Sequence, residues 1–328
     1  MKAIRYHEFG GPDVLDLVDV PRPEPEPDEV LVSTRSVGVN PCDVLRREGL
    51  WGDELPLIPG SDIAGTVEAV GERVTRFDVG DRVFGTVPQL NATGARGDRQ
   101  GTYAEYVPVR ADRLAPLPAG VDPSVGAGIG LVGMTAFRAL RHFGGLEPGD
   151  TCLVHGGSGG VGHVAVQLAA AIGADVIATA ADGRRETVRD LGADAVLDYS
   201  KPTDELEAAI AETAAGGVDV VLDHRAEEYL QLDIDVSGYG GTVVIIGNNH
   251  DEPTVEDLTE AIGKDLTIQP MDVFNQPNID EALGRLSALL RRERLTVEIA
   301  ETYALENAAD AQRTLTADSF VGKLVLDP

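Results

Sequence analysis

The pattern of apolar and polar positions changes character once along this chain. Up to about residue 118, short Val- and Ile-rich runs are broken by Gly and Pro, and Val30–Ser36, Ile63–Val70 and Arg82–Thr86 read as strands. Gly10-Gly11-Pro12, Pro59-Gly60 and Gly80-Asp81 mark turns between such runs. Pro21, Pro23, Pro25 and Pro27 alternate with charged residues and predict an extended surface connection. The first part is therefore expected to be all-β, closing into a small barrel. From residue 122 the pattern predicts alternating helices and strands: a helix over Pro123–Phe143, a strand over Thr151–His155, a helix over Gly160–Ile172 and a strand over Val176–Ala180. A helix at Arg185–Leu191, strands at Ala195–Leu197, Val218–Asp223 and Thr242–Gly247, and a helix at Glu205–Ala214 continue the alternation. That order predicts an α/β class with a doubly wound parallel sheet. The end of the chain carries an amphipathic helix, Ile279–Arg292, and a last strand, Gly322–Leu326.

Candidate chemistry sits where the first strand of this second part meets its helix. Gly156, Gly159 and Gly162 form a G-x-x-G-x-x-G frame between strand and helix. The first glycine turns the chain sharply out of the strand, the second admits backbone amides to a pyrophosphate, and the third lets the helix pack on the strand. A pyrophosphate placed there meets unpaired N–H groups and the positive end of the helix dipole. A glycine motif alone is weak evidence, but strand, turn, helix and second strand in this order predict dinucleotide binding. Gly156, Ser158, Gly159, Gly160, Val161 and Gly162 are the candidate phosphate-side residues. The second strand ends at Ala180-Ala181, where an NAD site usually carries an acidic residue for the ribose hydroxyls. Arg184 and Arg185 follow, either to pair with a 2′-phosphate or to stand as a solvated helix face, and the small strand end favours NADP. Asp182 is read as the N-cap of the next helix. Tyr199 and Lys323 complete the candidate cofactor set. Gly247 and Asn248 end a strand at the carboxyl edge of the sheet, and Asn248 either bonds the cofactor carboxamide or is a turn residue.

Charge narrows the classes of partner. Among 328 residues, Asp plus Glu total 55 and Lys plus Arg total 27, a formal net charge of −28. Phosphate is repelled by such a surface, so nucleic-acid binding is not expected. Only Lys2, Lys201, Lys264 and Lys323 are lysines, which points to a halophilic source in which salt screens the self-repulsion. No apolar run is long enough to span a membrane and the start lacks an apolar signal core, so a cytoplasmic protein is expected. Cys42 and Cys152 alone allow neither a disulfide framework nor a four-cysteine zinc site; Cys152 lies in an apolar strand pattern and reads as core. His155 is read as fixing its loop, and His224 as a structural histidine with titration near neutral pH the alternative.

Several motifs, in order, resemble those of a known family. They are Met1-Lys-Ala-Ile4, Phe9-Gly-Gly-Pro-Asp-Val-Leu15, Gly38-Val-Asn-Pro-Cys-Asp43, Leu57-Ile-Pro-Gly-Ser-Asp-Ile-Ala-Gly65, Gly80-Asp-Arg-Val83, Gly101-Thr-Tyr-Ala-Glu-Tyr106, Gly133-Met-Thr-Ala136 and Gly322-Lys-Leu-Val325. Together with the glycine turn they resemble the zinc-free quinone oxidoreductases (zeta-crystallin-like) of the medium-chain dehydrogenase/reductase superfamily, over nearly the whole chain. The resemblance implies a GroES-like β-barrel catalytic domain over residues 1–120 and a Rossmann domain over 121–268, with residues 269–328 returning to the first. It also implies a homodimer through the edge of the Rossmann sheet. It places Asn40 and Thr135 beside the nicotinamide and its ribose. Zinc-dependent relatives carry Cys near the position of Asn40 and Gly-His-Glu where this chain has Gly60-Ser61-Asp62, so no metal site is expected.

The implied reaction is hydride transfer from NADPH to a quinone or another α,β-unsaturated carbonyl, with the protein supplying binding, orientation and shielding from water. Where the family carries a Tyr near the substrate this chain places Trp51, which either stacks on a flat acceptor or covers apolar surface on a loop. Alternatives are an enoyl-thioester reductase of the same fold and a non-catalytic NADPH-binding protein.

Overall fold

The computed structural model describes residues 1–50, 52, 54–87, 101–247, 252–255, 257–317 and 320–328. Its strands are β1 (Lys2–Arg5), β2 (Asp16–Asp19), β3 (Glu29–Gly38), β4 (Asp62–Val70), β5 (Arg82–Thr86), β6 (Tyr106–Arg110), β7 (Leu114–Pro116), β8 (Thr151–Val154), β9 (Asp175–Ala180), β10 (Ala195–Asp198), β11 (Val218–Asp223), β12 (Ser237–Ile245), β13 (Thr267–Pro270), β14 (Ile299–Ala304) and β15 (Lys323–Asp327). Its α-helices are α1 (Pro41–Arg47), α2 (Pro123–Phe137), α3 (Gly160–Ile172), α4 (Arg185–Asp190), α5 (Thr203–Thr213), α6 (Ala226–Val236), α7 (Leu258–Gly263), α8 (Ile279–Arg291) and α9 (Ala308–Ala317). Two compact units result, one of Met1–Leu131 with Pro277–Pro328, the other of Val132–Gln276.

The first unit is mainly antiparallel β. Its larger sheet runs β14-β15-β3-β4-β5-β7, with β6 also paired to β3, and β1 pairs with β2 separately. Val30 and Val32 of β3, Val67 of β4, Val83 of β5 and Val107 and Val109 of β6 turn inward, as the period-two alternation requires. Leu305, Leu324 and Leu326 from the end of the chain join the same core. The all-β expectation is corrected at α1, whose Pro41 occupies a first-turn position and whose start is fixed by Asn40 and Asp43. The amphipathic helix α8 buries Ile279, Ala282, Leu283, Leu286 and Leu290 and packs on β7. Each such large apolar side chain contributes about 2 kcal/mol of burial free energy.

The second unit is the Rossmann half. Six parallel strands lie in the order β10-β9-β8-β11-β12-β13, which is the 3-2-1-4-5-6 arrangement of a doubly wound sheet. The strand order reverses between β8 and β11, where Leu153 pairs with Val221. Leu153, Ile177, Val221 and Val243 form the sheet's part of the core, covered by Leu206 and Ile210 of α5 and Tyr229, Leu230 and Ile234 of α6. Two expectations are refined here. The helix from Pro123 does not continue regularly to Phe143 but changes to π-helical geometry over Arg138–Phe143. Between β11 and β12, where the sequence pattern assigned no helix, lies α6, whose apolar period is masked because Asp233 takes an inward position on it.

Candidate functional site

The turn after β8 is held by bonds to strands on both sides. His155 N donates to Leu222 O at 3.1 Å on β11, and Gly157 N donates to Thr179 O at 2.7 Å on β9. Gly156 N donates to Thr179 Oγ1 at 3.0 Å. Gly156 has φ +65°, the left-handed region glycine enters freely. At Gly162 the helix meets the turn backbone to backbone, so a Cβ there would stand 2.1 Å from Gly156 O. Ser158 is buried inside the turn and Gly159 caps α3. The first i→i−4 bond of α3 runs from His163 N to Gly159 O, so the amides of Gly160, Val161 and Gly162 precede the helical ladder. Those amides and the helix dipole make an anion seat at the carboxyl edge of β8.

The end of β9 brings the next group of candidates together. Ala180 is fully buried and pairs with Asp198 of β10, which places Tyr199 just beyond the same edge, half-buried. Asp182 does not cap α4. The chain first makes a 3-10 turn over Asp182–Arg184, so the N-cap falls on Arg184 and the Asp182 carboxylate pairs with Arg185 instead. Arg185 thus already has a carboxylate partner, whereas half-buried Arg184 has no ion-pair partner among the described residues. At the other end of the sheet, Gly247 lines a recess of about 380 Å³ with Ile245, Ile246, Pro270, Met271 and Asp272. Thr135 is buried on α2. Trp51 and Asn248 lie outside the described residues.

A buried polar cluster that sequence reasoning did not find underlies the glycine turn. His155 Nε2 bonds Asp233 Oδ1 at 2.8 Å, and the imidazole stacks on Tyr229 at 4.4 Å between centroids. Burial pushes the His155 pKa down to about 4, so the ring is neutral and donates its Nε2 proton to Asp233. Asp223, at the carboxyl end of β11, is pushed up to about 7 by burial and by the Asp233 charge, and burial also holds Asp233 well above the usual carboxylate range. Among the described residues, Oδ2 of Asp223 and Oδ2 of Asp233 have no conventional donor, which is the environment of two carboxyls sharing one proton. His224 does not titrate near neutral pH. Its ring lies against Gly156, and burial first, then the neighbouring His155 and Arg225, lower its pKa to about 4.

In the first unit, Asn40 and Lys323 are brought together across a separation of 283 residues. The Lys323 ammonium donates to Asn40 Oδ1 and to Val39 O, the latter at 2.7 Å. Asn40 Nδ2 donates to Asp62 Oδ2 at 2.9 Å, and Leu131 N donates to Asp62 Oδ1 at 2.6 Å. Asn40 N donates to Asp43 Oδ2 at 3.0 Å, so the cap of α1 uses the Asp43 side chain while the Asn40 amide serves Asp62 and Lys323. Burial raises the pKa values of Asp43, to about 7, and of Asp62, while the Lys323 charge opposes both shifts. Lys323, expected among the cofactor residues, is buried and spends its hydrogen bonds inside this network. Cys42 Sγ lies 3.7 Å from Ser61 Oγ. Cys152 is core, with its thiol pushed up to about 12 by burial.

Two family models match this chain. Residues 26–119 match the alcohol dehydrogenase GroES-like domain, and residues 160–288 match the zinc-binding dehydrogenase model. A quinone oxidoreductase of Lama guanicoe is 36% identical over 336 residues, covering 99% of this chain and 97% of that protein. The chain belongs to the medium-chain dehydrogenase/reductase superfamily. It is an oxidoreductase related over its full length to quinone oxidoreductases, including one of Pseudomonas aeruginosa at 33% identity that covers 100% of this chain and 99% of its own. Among solved structures, an NAD-dependent alcohol dehydrogenase superposes with a TM-score of 0.91 at 30% identity, covering 100% of both chains. Escherichia coli quinone oxidoreductase complexed with NADPH superposes with a TM-score of 0.86 at 27% identity, again covering 100% of both.

Proposed function

We propose that this oxidoreductase transfers hydride from NADPH to a quinone or another α,β-unsaturated carbonyl, without a metal. The observation that carries the dinucleotide reading is the Gly156–Gly162 contact, which seats the amides of Gly160, Val161 and Gly162 at the carboxyl edge of β8. A dinucleotide bound there supplies a transferable hydride at its nicotinamide ring. The chain's own residues would hold its ends: the α3 amides the pyrophosphate, Ala180, Arg184 and Tyr199 the adenosine side, and the recess at Gly247 the ring. The NADPH preference is supported by the uncharged end of β9 and by Arg184, the arginine not engaged by Asp182. The related NADPH complex from Escherichia coli agrees with it, and the NAD-dependent relative makes it a question for titration.

Metal independence is supported by Lys323. A zinc site needs about three thiolate, imidazole or carboxylate ligands. Here Asn40 and Ser61 stand beside Cys42 and Asp62, and a lysine ammonium already balances the carboxylates, so the donor set does not fit zinc. The same proposal includes the division of labour by segment: catalytic 1–120, dinucleotide-binding 121–268, returning 269–328. It includes a homodimer through the sheet edge, supported by β13 having β12 as its one strand neighbour among the described residues and by exposed Leu258 and Ile262 on α7 before it. A cytoplasmic, salt-rich setting is supported by the net charge of −28 and by the absence, among the described residues, of any helix long and apolar enough to cross a membrane.

The test is NADPH oxidation in high salt with 1,4-benzoquinone, a simple enone and crotonyl-CoA. Turnover of the first two is expected. Turnover of crotonyl-CoA alone would replace the reading with enoyl-thioester reduction, against which the acidic surface speaks.

A further inference from the structure

Three ionisable side chains are enclosed together beneath the glycine turn. His155 is nearly inaccessible, and Asp223 and Asp233 are fully buried. They come from three places in the chain: the residue after β8, the end of β11 and the middle of α6. Asp233 spends Oδ1 on His155 Nε2, 2.8 Å away, and Asp223 spends Oδ1 on the amide of Arg225, 2.7 Å away. The second oxygen of each carboxyl has no N–H or O–H donor among the described residues. The two carboxyl groups lie within hydrogen-bonding reach of each other. A buried carboxylate oxygen without a donor is costly, and native proteins leave few of them.

The neighbouring cations are spent elsewhere. Arg225 turns its guanidinium to Glu227 and Glu228. Lys264, just past α7, reaches α6 at the main-chain oxygens of Ile234 and Asp235 and pairs with Glu260. In the π-helical segment packed on β11, Arg138 stacks on Phe143 and Arg141 bonds Leu146 O. α5 turns Leu206 and Ile210 to this core, while β8 and β12 add only Cys152, a neutral thiol, and exposed Tyr239. On α6 itself Tyr229 stacks on His155, and Glu228 adds a further negative charge. His155 and His224 are neutral, their pKa values lowered to about 4, so neither imidazole supplies positive charge near pH 7. The remaining counterion is a proton held between Asp223 and Asp233. Burial raises both carboxyls, Asp223 to about 7 with the help of the Asp233 charge, so this proton exchanges near neutral pH.

The pair adjoins the anion seat. Asp223 stands one residue past the Leu222–Val154 pairing, and the His155 amide bonds Leu222 O at 3.1 Å. The ring of His224, next in the chain, lies against Gly156 of the turn. A pyrophosphate at the amides of Gly160, Val161 and Gly162 brings negative charge to this end of the sheet. Negative charge brought near a buried carboxyl favours its protonated form. We propose that binding of the dinucleotide pyrophosphate is proton-linked, Asp223 and Asp233 taking up a proton as the anion enters the glycine turn. This rests on the dinucleotide reading above and adds the regulation of that site. By linkage, a proton bound together with the ligand makes the ligand bind more tightly at lower pH.

The experiment is calorimetric titration with NADPH and with ADP-ribose, which keeps the pyrophosphate and lacks both the nicotinamide ring and the 2′-phosphate. It is run at about pH 7.5 in two buffers of different ionisation enthalpy. The heats are expected to differ between buffers by the uptake of about half a proton for either nucleotide. The Kd of ADP-ribose should rise by about three- to ten-fold from about pH 6 to about pH 8.5. Asp223→Asn and Asp233→Asn should each abolish the uptake, because the new amide donates the hydrogen that the proton supplied. A merely structural role would change affinity in these variants and leave the buffer dependence in place. Should one variant fail to fold, the other and the unaltered protein in two buffers carry the test. Equal heats in both buffers, or uptake that persists in a folded variant, overturns the inference and leaves the dinucleotide reading intact. Uptake confined to NADPH overturns it as well, by placing the proton on the 2′-phosphate. No binding of either nucleotide overturns both.

Discussion

His155 Nε2 lies 2.8 Å from Asp233 Oδ1, and neither side chain reaches solvent. This pair forms the floor of the glycine turn, because His155 is the residue that leaves β8 and its amide is tied to β11. Asp223 completes the group from the end of β11. A carboxyl whose folded pKa is raised contributes a cost that grows as pH climbs from its unfolded value, near 3.8, to its folded value, about 7. His155 works in the other sense: its pKa is depressed to about 4, so stability is lost as pH falls from 6.5 towards 4. Asp223→Asn is therefore expected to be more stable relative to the parent at pH 8 than at pH 5. Denaturant midpoints across pH 5–9 check this, and a difference that does not change with pH would refute it.

Gly162→Ala places a methyl group 2.1 Å from a backbone oxygen that cannot swing aside. The start of α3 must move away from the turn, and the anion seat moves with it. Loss of NADPH binding by more than about ten-fold is expected, together with a lower Tm. Alanine at Gly183, where nothing lies within 4 Å of the added Cβ, should leave both near the parent values.

Arg184→Ala should weaken NADPH by about ten-fold and leave NADH unchanged, because a 2′-phosphate is the difference between them. Arg185→Ala should matter less, since Asp182 already occupies that guanidinium. A matched set of titrations in one buffer decides it; equal losses for both cofactors would remove the phosphate assignment.

Removing the ammonium by Lys323→Met leaves Asp62 and Asp43 buried without their compensating charge, and frees Asn40 Oδ1. A cost of about 3–5 kcal/mol in unfolding free energy is expected, as for other broken buried pairs. Lys323→Arg should recover only part of it, because a planar fork does not fit a site built for one compact charge. Equilibrium unfolding in urea measures both.

A net charge of −28 repels itself most in dilute buffer, where the Debye length is about 30 Å at 0.01 M, against about 3 Å at 1 M. Tm is expected to rise steadily from dilute buffer to molar potassium chloride. A flat profile would leave the lysine scarcity without this physical explanation.

Much of the second unit was legible along the chain. The helix at Gly160–Ile172 and the strand at Val218–Asp223 fall where apolar periodicity places them, and the glycine spacing announces the strand–turn–helix. These are local signals: a period of 3.6 or 2, or a backbone position that a side chain would obstruct, is written in consecutive residues. The helix α6 was not legible, because Asp233 stands at an inward position and interrupts the apolar stripe. Asp182 reads locally as a cap, yet a 3-10 turn moves the helix start and hands its carboxylate to Arg185.

By itself the sequence determined the order of strands and helices, the glycine turn and the uncharged end of β9. Only the tertiary structure decided which charges are buried and what each faces: Lys323 on Asn40, and His155 on Asp233. The physical reason is that an apolar residue is buried by a pattern it shares with its neighbours. A buried charge persists only where a distant part of the chain, or a ligand, supplies its counterpart, and nothing at its own position records which.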